Sequence, residues 1–345
     1  MIWLTWRQFR AQALTLLVLL AAATIYYVVT GLQMHHANAV NLATCGAQND
    51  CGNVVSDFRG HYAAAFDLSQ LLLLIVPGLI GIFWGAPLIG RELETGTHQL
   101  AWNQSVTRTR WLAVKLLGVG LVALATAGLL SVLLTWWAGP IDPISGTRFS
   151  AMTFATRDIT PLGYALFAFT LGVTAGLLLR RTIPAMAVTL AVFIGIQILV
   201  PTTIRPNLLS STTTTVTINE ATMQQANGIY GHGGNSGAFY ISGLNTPVGA
   251  WILSTTPVET AAGRWESMTA VSNCLPRPDA GASTTADSPF TVFGACVASD
   301  DLHESVTYQP ASHYWPLQWM ETGLFLVLSA VLSGFCFWFI RRRQN

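Results

Sequence analysis

The fold is decided by residues 161–201, which read PLGYALFAFTLGVTAGLLLRRTIPAMAVTLAVFIGIQILVP. This stretch contains two apolar runs, 161–179 and 183–201, separated by a short Arg-Arg-Thr turn at 180–182. Each run has about the length that a helix needs to cross roughly 30 Å of hydrocarbon, and Pro184 fits the first turn of the second helix. The stretch therefore predicts two transmembrane helices joined by a tight turn at one membrane face.

Four more apolar runs of similar length lie on either side of this hairpin. The chain is 52% hydrophobic and 10% charged, whereas a soluble domain carries about 25% charged residues. We therefore predict an all-α polytopic membrane protein. Its six transmembrane helices are expected at about 12–32, 68–90, 111–138, 161–179, 183–201 and 319–340.

The first apolar run has an alternative interpretation as a secretory signal peptide. Arg7 and Arg10 precede it, and the alanines at 21–23 resemble a cleavage site. The apolar character nevertheless continues to Leu32, beyond the length of a signal sequence. This length favours an uncleaved first span.

The basic residues predict the orientation of the chain in the membrane. With the N-terminus inside, 11 of the 17 basic residues fall on short cytoplasmic segments, as the positive-inside rule requires. These are Arg7, Arg10, Arg91, Arg108, Arg110, Lys115, Arg180, Arg181, Arg341, Arg342 and Arg343. We expect a plasma-membrane protein with both termini in the cytoplasm.

A long polar insertion, residues 202–317, separates the fifth and sixth predicted spans. It is rich in Ser, Thr, Gly and Asn, and it is long enough to form a small domain. The β-forming residues at 212–218 and 238–242 predict a mixed, β-leaning extracellular domain. The expected segments are therefore 1–11, 12–201, 202–317 and 318–345, the last holding the sixth helix and a basic cytoplasmic tail.

Four of the five cysteines lie in segments that are predicted to face the oxidising side of the membrane. Cys45 and Cys51 share one loop, and Cys274 and Cys296 share the large insertion. Each pair is expected to form a disulfide, with free thiols as the alternative. No cysteine and histidine spacing indicates a metal site.

The loop after the second predicted span is the most informative polar stretch. Residues 91–110 read RELETGTHQLAWNQSVTRTR, and Trp111 and Lys115 follow at the head of the third span. Gly96 allows the chain to turn. Arg108 and Arg110 are expected at the headgroup level, with Trp111 as an interfacial anchor.

This loop resembles the loop between helices two and three of ABC-2 type ABC transporter permeases, of the kind found in high-GC Gram-positive bacteria. The matching features are RExExGT and the W-x-Q-S-V-T-R-x-R-W-L-x-x-K-L run that follows it. The N-terminal WLTWRQFR and the stretch YQPASHYWPLQWMET at 308–322 are also similar to that family. The resemblance covers most of the chain and is weakest across 202–317.

The resemblance implies a coupling helix at 91–98, seated in a groove of a separate ATPase subunit. The residues expected to couple are Arg91, Glu92, Glu94, Gly96 and Thr97. The alternative is that the arginines only fix the topology and that both carboxylates are solvated.

The resemblance also implies that the N-terminal segment is an amphipathic helix on the inner membrane surface. Ile2, Trp3, Trp6 and Phe9 can share one helical face, away from the arginines of the segment. Such a face is typical of a helix that lies in the membrane interface. Trp3 and Trp6 are therefore expected to be interface anchors.

The energy source is expected to lie in another chain. A Walker A motif needs a lysine after its Gly-rich turn, and Lys115, the only lysine, lies at a membrane helix head. We therefore expect no enzymatic activity and no cofactor in this chain, with ATP and Mg²⁺ bound by cytosolic ABC ATP-binding subunits, two per complex.

The resemblance further implies a second permease copy or a paralogue as partner. It also implies export of an amphiphilic cargo such as a drug, antibiotic, peptide or lipid. Nucleic acid is not an expected partner. The alternative is a membrane-anchored sensor or immunity protein whose outer domain binds a ligand without transport.

A few residues near the predicted spans are candidates for the transport pathway or a gate. They are Asp67, Gln197, Trp315 and Glu321. Both acids lie close to the outer boundary and could instead be hydrated.

Glycine pairs in two predicted spans could allow close helix contacts. Gly81 and Gly85 in the second span have a small-xxx-small spacing, as do Gly172 and Gly176 in the fourth. The second span is a candidate for the interface with a second copy. The alternative is packing within one protomer.

Overall fold

The computed structural model describes most of the backbone. The described residues are 2–48, 51–96, 107–142, 148–224, 226–231, 237–244, 247–274 and 289–342, of which 2–13, 41–48, 51–55 and Ser299 are described without their side chains. Thr97 and the side chains of Trp3, Trp6, Cys45 and Cys51 lie outside the described part. Their predicted roles remain predictions.

The chain forms two compact units. One, the helical unit, comprises Met1–Leu208 and Trp315–Asn345, and the other, the strand unit, comprises Leu209–Tyr314. The structure is mostly helical.

Six helices of the described chain are long and apolar enough to cross a membrane. Numbered in chain order as the first to sixth spans, they are Leu14–Val40, Ser56–Glu94, Arg108–Ala138, Thr160–Leu179, Thr182–Asn207 and Ala311–Arg342. The helices that contain them are α1 (Ile2–Gln48), α2 (Cys51–Ile80), α3 (Ala86–Glu94), α4 (Arg108–Ala138), α6 (Thr160–Leu179), α7 (Thr182–Leu199) and, at the end of the chain, α10 (Tyr314–Arg342). A short helix, α5 (Ala151–Thr156), precedes the fourth span. Because α1 is continuous from Ile2, the backbone marks no boundary at residue 11.

Two spans contain π-helical segments. Gly81–Gly85 joins α2 to α3 within the second span, and Val200–Ile204 extends α7 toward a short 3₁₀ turn at Arg205–Asn207. The fifth span therefore continues beyond its apolar run and carries Arg205 as part of its helical end. Single-turn π segments inside helices occur often at functional sites.

The second and fourth spans pack backbone against backbone through their glycines. A Cβ at Gly85 would lie 2.5 Å from the Phe169 carbonyl oxygen, and a Cβ at Gly176 would lie 2.5 Å from the Ala86 carbonyl oxygen. Neither position has room for a side chain. These glycine contacts are therefore made within one protomer. The hypothesis that the second span lies near an interface with a second copy stays a prediction.

The apolar core of the helical unit lies where the second, third, fourth and sixth spans meet. Leu112, Val119, Phe169, Val173 and Cys336 are all buried there. The first span packs at the side of the bundle, where Tyr27 meets Trp137 of the third span with ring centroids 5.8 Å apart.

The strand unit is built on a small antiparallel sheet. The strands of the unit are β1 (Thr212–Thr217), β2 (Gly228–Gly231), β3 (Phe239–Ser242), β4 (Trp251–Thr255) and β5 (His303–Gln309). β5 lies between β1 and β4, while β2 and β3 form a separate hairpin. β1 and β3 coincide with the two stretches of β-forming residues that predicted strands.

Two helices and a disulfide complete the described part of the strand unit. They are α8 (Glu220–Met223), α9 (Pro289–Val297) and the bond between Cys274 and Cys296. The second predicted disulfide pairing is therefore present. The core of the unit contains Phe239, Ile241, Val258 and Phe293.

Candidate functional site

The candidate coupling segment, residues 91–96, begins in the last turn of the second span. α3 ends at Glu94, Thr95 follows, and Gly96 has a φ of +71° that favours glycine. Arg91 and Glu94 are exposed, whereas Glu92 is partly buried. The two acidic side chains of the segment therefore have different surroundings.

Glu92 is turned into the helical bundle. Its carboxylate lies 2.5 Å from the Nζ of Lys115 on the third span. Lys115 also donates to the carbonyl oxygen of Leu88 at 3.3 Å, and its ammonium lies 4.8 Å from the centre of the Trp111 ring. The interpretation that Glu92 is solvated is therefore wrong, since its charge is paired inside the protein.

Trp111 is a core residue in this structure. Its side chain is 3% exposed and belongs to the same apolar cluster as Ile89 and Leu112. The prediction that it anchors the chain in the headgroup layer is corrected, because a buried ring has no contact with headgroups. Arg108 is partly buried and Arg110 is exposed at the start of the same helix.

Glu94 caps the fifth span from outside that helix. Its Oε2 accepts hydrogen bonds from the backbone N–H of Thr182 at 3.0 Å and from the Thr182 hydroxyl at 2.9 Å. The residue at the N-cap position of this helix, Arg181, supplies no side-chain cap. A carboxylate at a helix N-terminus satisfies otherwise unbonded N–H groups and is favoured by the helix dipole.

A second charged cluster is buried where the fifth and sixth spans meet. Arg205 and Glu321 are both fully buried and form a bidentate pair, with Nε to Oε2 at 2.8 Å and Nη2 to Oε1 at 3.0 Å. The Tyr164 hydroxyl donates to Glu321 Oε1 at 2.9 Å. The guanidinium of Arg205 lies 4.0 Å from the centre of the Phe154 ring.

This cluster changes the interpretation of Glu321. The alternative that Glu321 is merely hydrated is wrong, because its carboxylate is enclosed by protein groups. Sequence reasoning counted Arg205 as a loop residue and so missed it. The available signal was Glu321 itself, since an ionisable residue in a membrane segment calls for a partner of opposite charge.

A third ion pair fixes the connection between the third and fourth spans. Arg157 Nη2 donates to Asp142 Oδ1 at 3.0 Å, and Arg157 Nη1 donates to the Leu134 carbonyl oxygen at 3.3 Å. Burial raises the pKa of the Asp142 carboxyl, and the positive charges of Arg157 and Arg148 oppose this rise. Arg157 lies between the third and fourth apolar runs of the sequence, and neither run indicates that it is buried.

The remaining pathway candidates lie in separate surroundings. Gln197 donates to the Leu74 carbonyl oxygen at 3.5 Å between the fifth and second spans. Asp67 and Trp315 are exposed. Within the described residues, no group of three or more His, Cys, Asp or Glu side chains could hold a metal ion.

The comparisons with known proteins agree with this architecture. A model of the family described as ABC-2 membrane transporter related matches residues 17–205, which is more than half of the chain and includes most of the first five spans. No curated protein and no solved structure matches the chain. Members of this family are membrane components of transporters that work with ABC ATP-binding subunits. The chain therefore belongs to the ABC-2 membrane transporter related family and is a multi-pass membrane transporter subunit.

Proposed function

We propose that this chain is the permease subunit of an ATP-driven exporter that moves an amphiphilic cargo out of the cell. Two cytosolic ATP-binding subunits supply the energy and hold ATP and Mg²⁺, and a second permease copy or a paralogue completes the complex. Both termini of this chain lie in the cytoplasm, which places residues 91–96 on the side of the ATPase. Family membership supports the transporter role, and the positive-inside pattern supports the orientation.

The observation that carries this proposal is the pair of links made by the coupling segment. Glu92 connects it to the third span through Lys115, and Glu94 connects it to the fifth span through Thr182. The segment itself is the end of the second span. A partner that displaces residues 91–96 therefore acts on three spans at once.

This arrangement suits a switch between two packings of the bundle. Nucleotide can shift such an equilibrium only if the ATPase interacts differently with the two packings. The two links provide a basis for that difference, because moving the segment separates or strains a buried ion pair and a helix cap. Arg91 is exposed in the same segment, and we expect it to contact the ATPase.

The test is ATP hydrolysis by the reconstituted complex. The chain is co-expressed with an ATP-binding subunit encoded by a neighbouring open reading frame, and the pair is reconstituted in lipid vesicles. We expect Arg91→Ala to weaken retention of the ATPase. We expect Glu94→Ala to retain the ATPase but to reduce the hydrolysis that responds to cargo.

Asp57→Ala is the matched control, because Asp57 is an exposed carboxylate at the opposite end of the second span. It should behave as wild type in both measurements. Wild-type behaviour of the variants at 91 and 94 in both measurements would contradict the role of the coupling segment. Failure of any ATPase to bind the wild-type chain would contradict the exporter proposal. That result would favour a sensor or immunity protein that works without transport.

A further inference from the structure

An apolar cavity opens between the first, second and third spans. Its volume is about 420 Å³, within the range of about 300–1,000 Å³ that is typical of small-molecule sites. The floor is formed by the buried side chains of Tyr27, Leu73 and Ile80. Leu19 and Leu72 stand at its mouth, where more than half of each side chain is exposed. The cavity therefore opens sideways from the bundle, toward the hydrocarbon of the membrane.

The few polar groups of the lining are used within the protein. The Thr126 hydroxyl donates to the Val122 carbonyl oxygen at 2.8 Å, one turn earlier in the same helix. The Tyr27 hydroxyl interacts with the side chain of Ser69. Since these groups are satisfied and the other lining residues are almost all aliphatic or aromatic, the cavity suits a hydrocarbon occupant.

The cavity is long and follows the helix axes. Its lining extends from Leu16 to Tyr27 on the first span and from Leu72 to Trp84 on the second. At about 1.5 Å of rise per residue, these stretches are about 16–18 Å long. The hydrocarbon core of a bilayer is about 30 Å thick, so the cavity has about the length of the acyl chains in one leaflet.

We propose that this cavity binds one acyl chain of a bilayer phospholipid, aligned with the first three spans. The attraction is van der Waals contact. Lipid tails and the leucines of the lining are both in hydrocarbon already, so the hydrophobic effect does not contribute. A groove that is left unfilled forfeits these contacts for every atom of its lining. An extended chain fills the groove along its full length.

The bound chain contacts the π-helical part of the second span. Phe83 and Trp84 line the cavity and both belong to Gly81–Gly85. The opposite side of this segment packs on the backbone of the fourth span through Gly81 and Gly85. The acyl chain is therefore part of the packing that holds the π segment, and this inference goes beyond the proposed export function.

The test compares two alanines that are neighbours on the first span. Ala23 lines the cavity, whereas Ala22 is exposed and lies outside it. The full chain is reconstituted in phosphatidylcholine vesicles that contain a small share of phosphatidylcholine with a photoreactive diazirine in its acyl chain. Cross-linked peptides are then mapped by mass spectrometry, and the lipid that stays bound in mild detergent is counted by native mass spectrometry.

We expect wild type and Ala22→Trp to retain one phospholipid per chain and to cross-link at Phe83 and its neighbours in the cavity. Ala23→Trp should lose the retained lipid and reduce this cross-linking to the level of the other lipid-facing surfaces. Val76→Phe fills the same cavity from the second span and should have the same effect. If Ala23→Trp does not fold, Val76→Phe tests lipid binding in the cavity in its place.

Uniform labelling that neither filling variant reduces would overturn the proposal, because it would show ordinary solvation by lipid. Absence of a retained lipid in wild type would also overturn it, including the case in which a second copy of the chain occupies the cavity. The experiment needs no ATPase and no cargo. Its outcome is therefore separate from the success or failure of the exporter proposal.

Discussion

Buried charges in the helical unit are paired with opposite charges, and one pair joins distant parts of the chain. Arg205 and Glu321, 116 residues apart, are both completely buried. Removing an ion from water is costly, and a close partner with good hydrogen-bond geometry offsets that cost. The pair holds the end of the fifth span to the beginning of the sixth.

Replacing one residue of this pair should therefore lower the free energy of unfolding more than replacing both. Glu321→Gln leaves the Arg205 guanidinium buried without a counter-charge, and we expect the free energy of unfolding of the helical unit to fall by about 3–5 kcal/mol. The double variant Glu321→Gln with Arg205→Gln should be more stable than either single variant. Thermal and denaturant unfolding in detergent measure this. Single variants as stable as wild type would contradict the prediction.

Glu304 gives the strand unit a dependence on pH. Its side chain is fully buried on β5, and its Oε1 accepts one hydrogen bond, from the Ile241 backbone N–H at 3.3 Å. Burial raises the pKa of the Glu304 carboxyl from 4.5 to about 7. Between these values the folded state binds more protons than the unfolded state, so stability falls as pH rises.

We therefore expect the strand unit to lose stability between about pH 5 and pH 7, by up to about 3 kcal/mol. Glu304→Gln should remove most of this loss and should be more stable than wild type at pH 8. Hydrogen exchange of peptides from β5, measured through a denaturant series at pH 5 and pH 8, provides the readout. The exposed Glu220→Gln is a control that should leave the pH dependence unchanged.

At the level of single residues, the sequence identified charges but not their partners. Glu321 could be singled out because it begins an apolar run. Arg205 follows an apolar run in polar sequence, where a hydrated loop residue is the ordinary interpretation. Its burial depends on a π segment that prolongs the fifth span, and no local pattern predicts that segment.

The contact between the second and fourth spans depends on glycines at close approach. Gly85 lies against the backbone of Phe169, and Gly172 lies against the backbone of the π segment. The spacing of these glycines in the sequence indicates that a helix can approach closely, but it does not indicate which helix does so. The contact with the fourth span could therefore be identified only from the structure.

Gly85→Ala should force the two helices apart. Its Cβ would lie 2.5 Å from a backbone oxygen, which cannot move as a side-chain end could, and we expect a loss of about 1–3 kcal/mol. Gly195→Ala is the matched control, because a Cβ there has nothing within 4 Å. It should be neutral or slightly stabilising, since alanine is the better helix former. Equal melting temperatures for the two variants would contradict the assignment.

The lengths of the apolar runs predict that spans exist, but not where each helix ends. α2 begins at Cys51, well before the apolar run at 68–90, because polar residues such as Asp57 and Arg59 continue the helix. The turn between the fourth and fifth spans is different. Arg180 has a φ of 53° and ends its helix, so helix end and polar turn coincide there.

The molecule as a whole combines two units with separate cores. The helical unit is held by apolar contacts and buried ion pairs, and the strand unit is held by its own core and a disulfide. The apolar runs were enough to predict the first. The second is less regular, so its mixed character could be predicted but the order of its strands could not.

Removal of the disulfide should therefore affect one unit selectively. Cys274→Ser with Cys296→Ser opens a link across 22 residues, and we expect the strand unit to lose about 2–4 kcal/mol. Hydrogen exchange should increase in β1, β4 and β5 and stay unchanged in the spans. Equal increases in both units would show that their stabilities are coupled.

The buried position of Lys115 makes it a natural chemical reporter. It is the only lysine of the chain. The residue is 5% exposed, and its amine is paired with Glu92. An amine-reactive ester should therefore modify this side chain slowly while residues 91–96 stay in place. If nucleotide binding by the ATPase displaces that segment, acylation of Lys115 should accelerate. The rate would then report the motion of the segment in the unsubstituted chain.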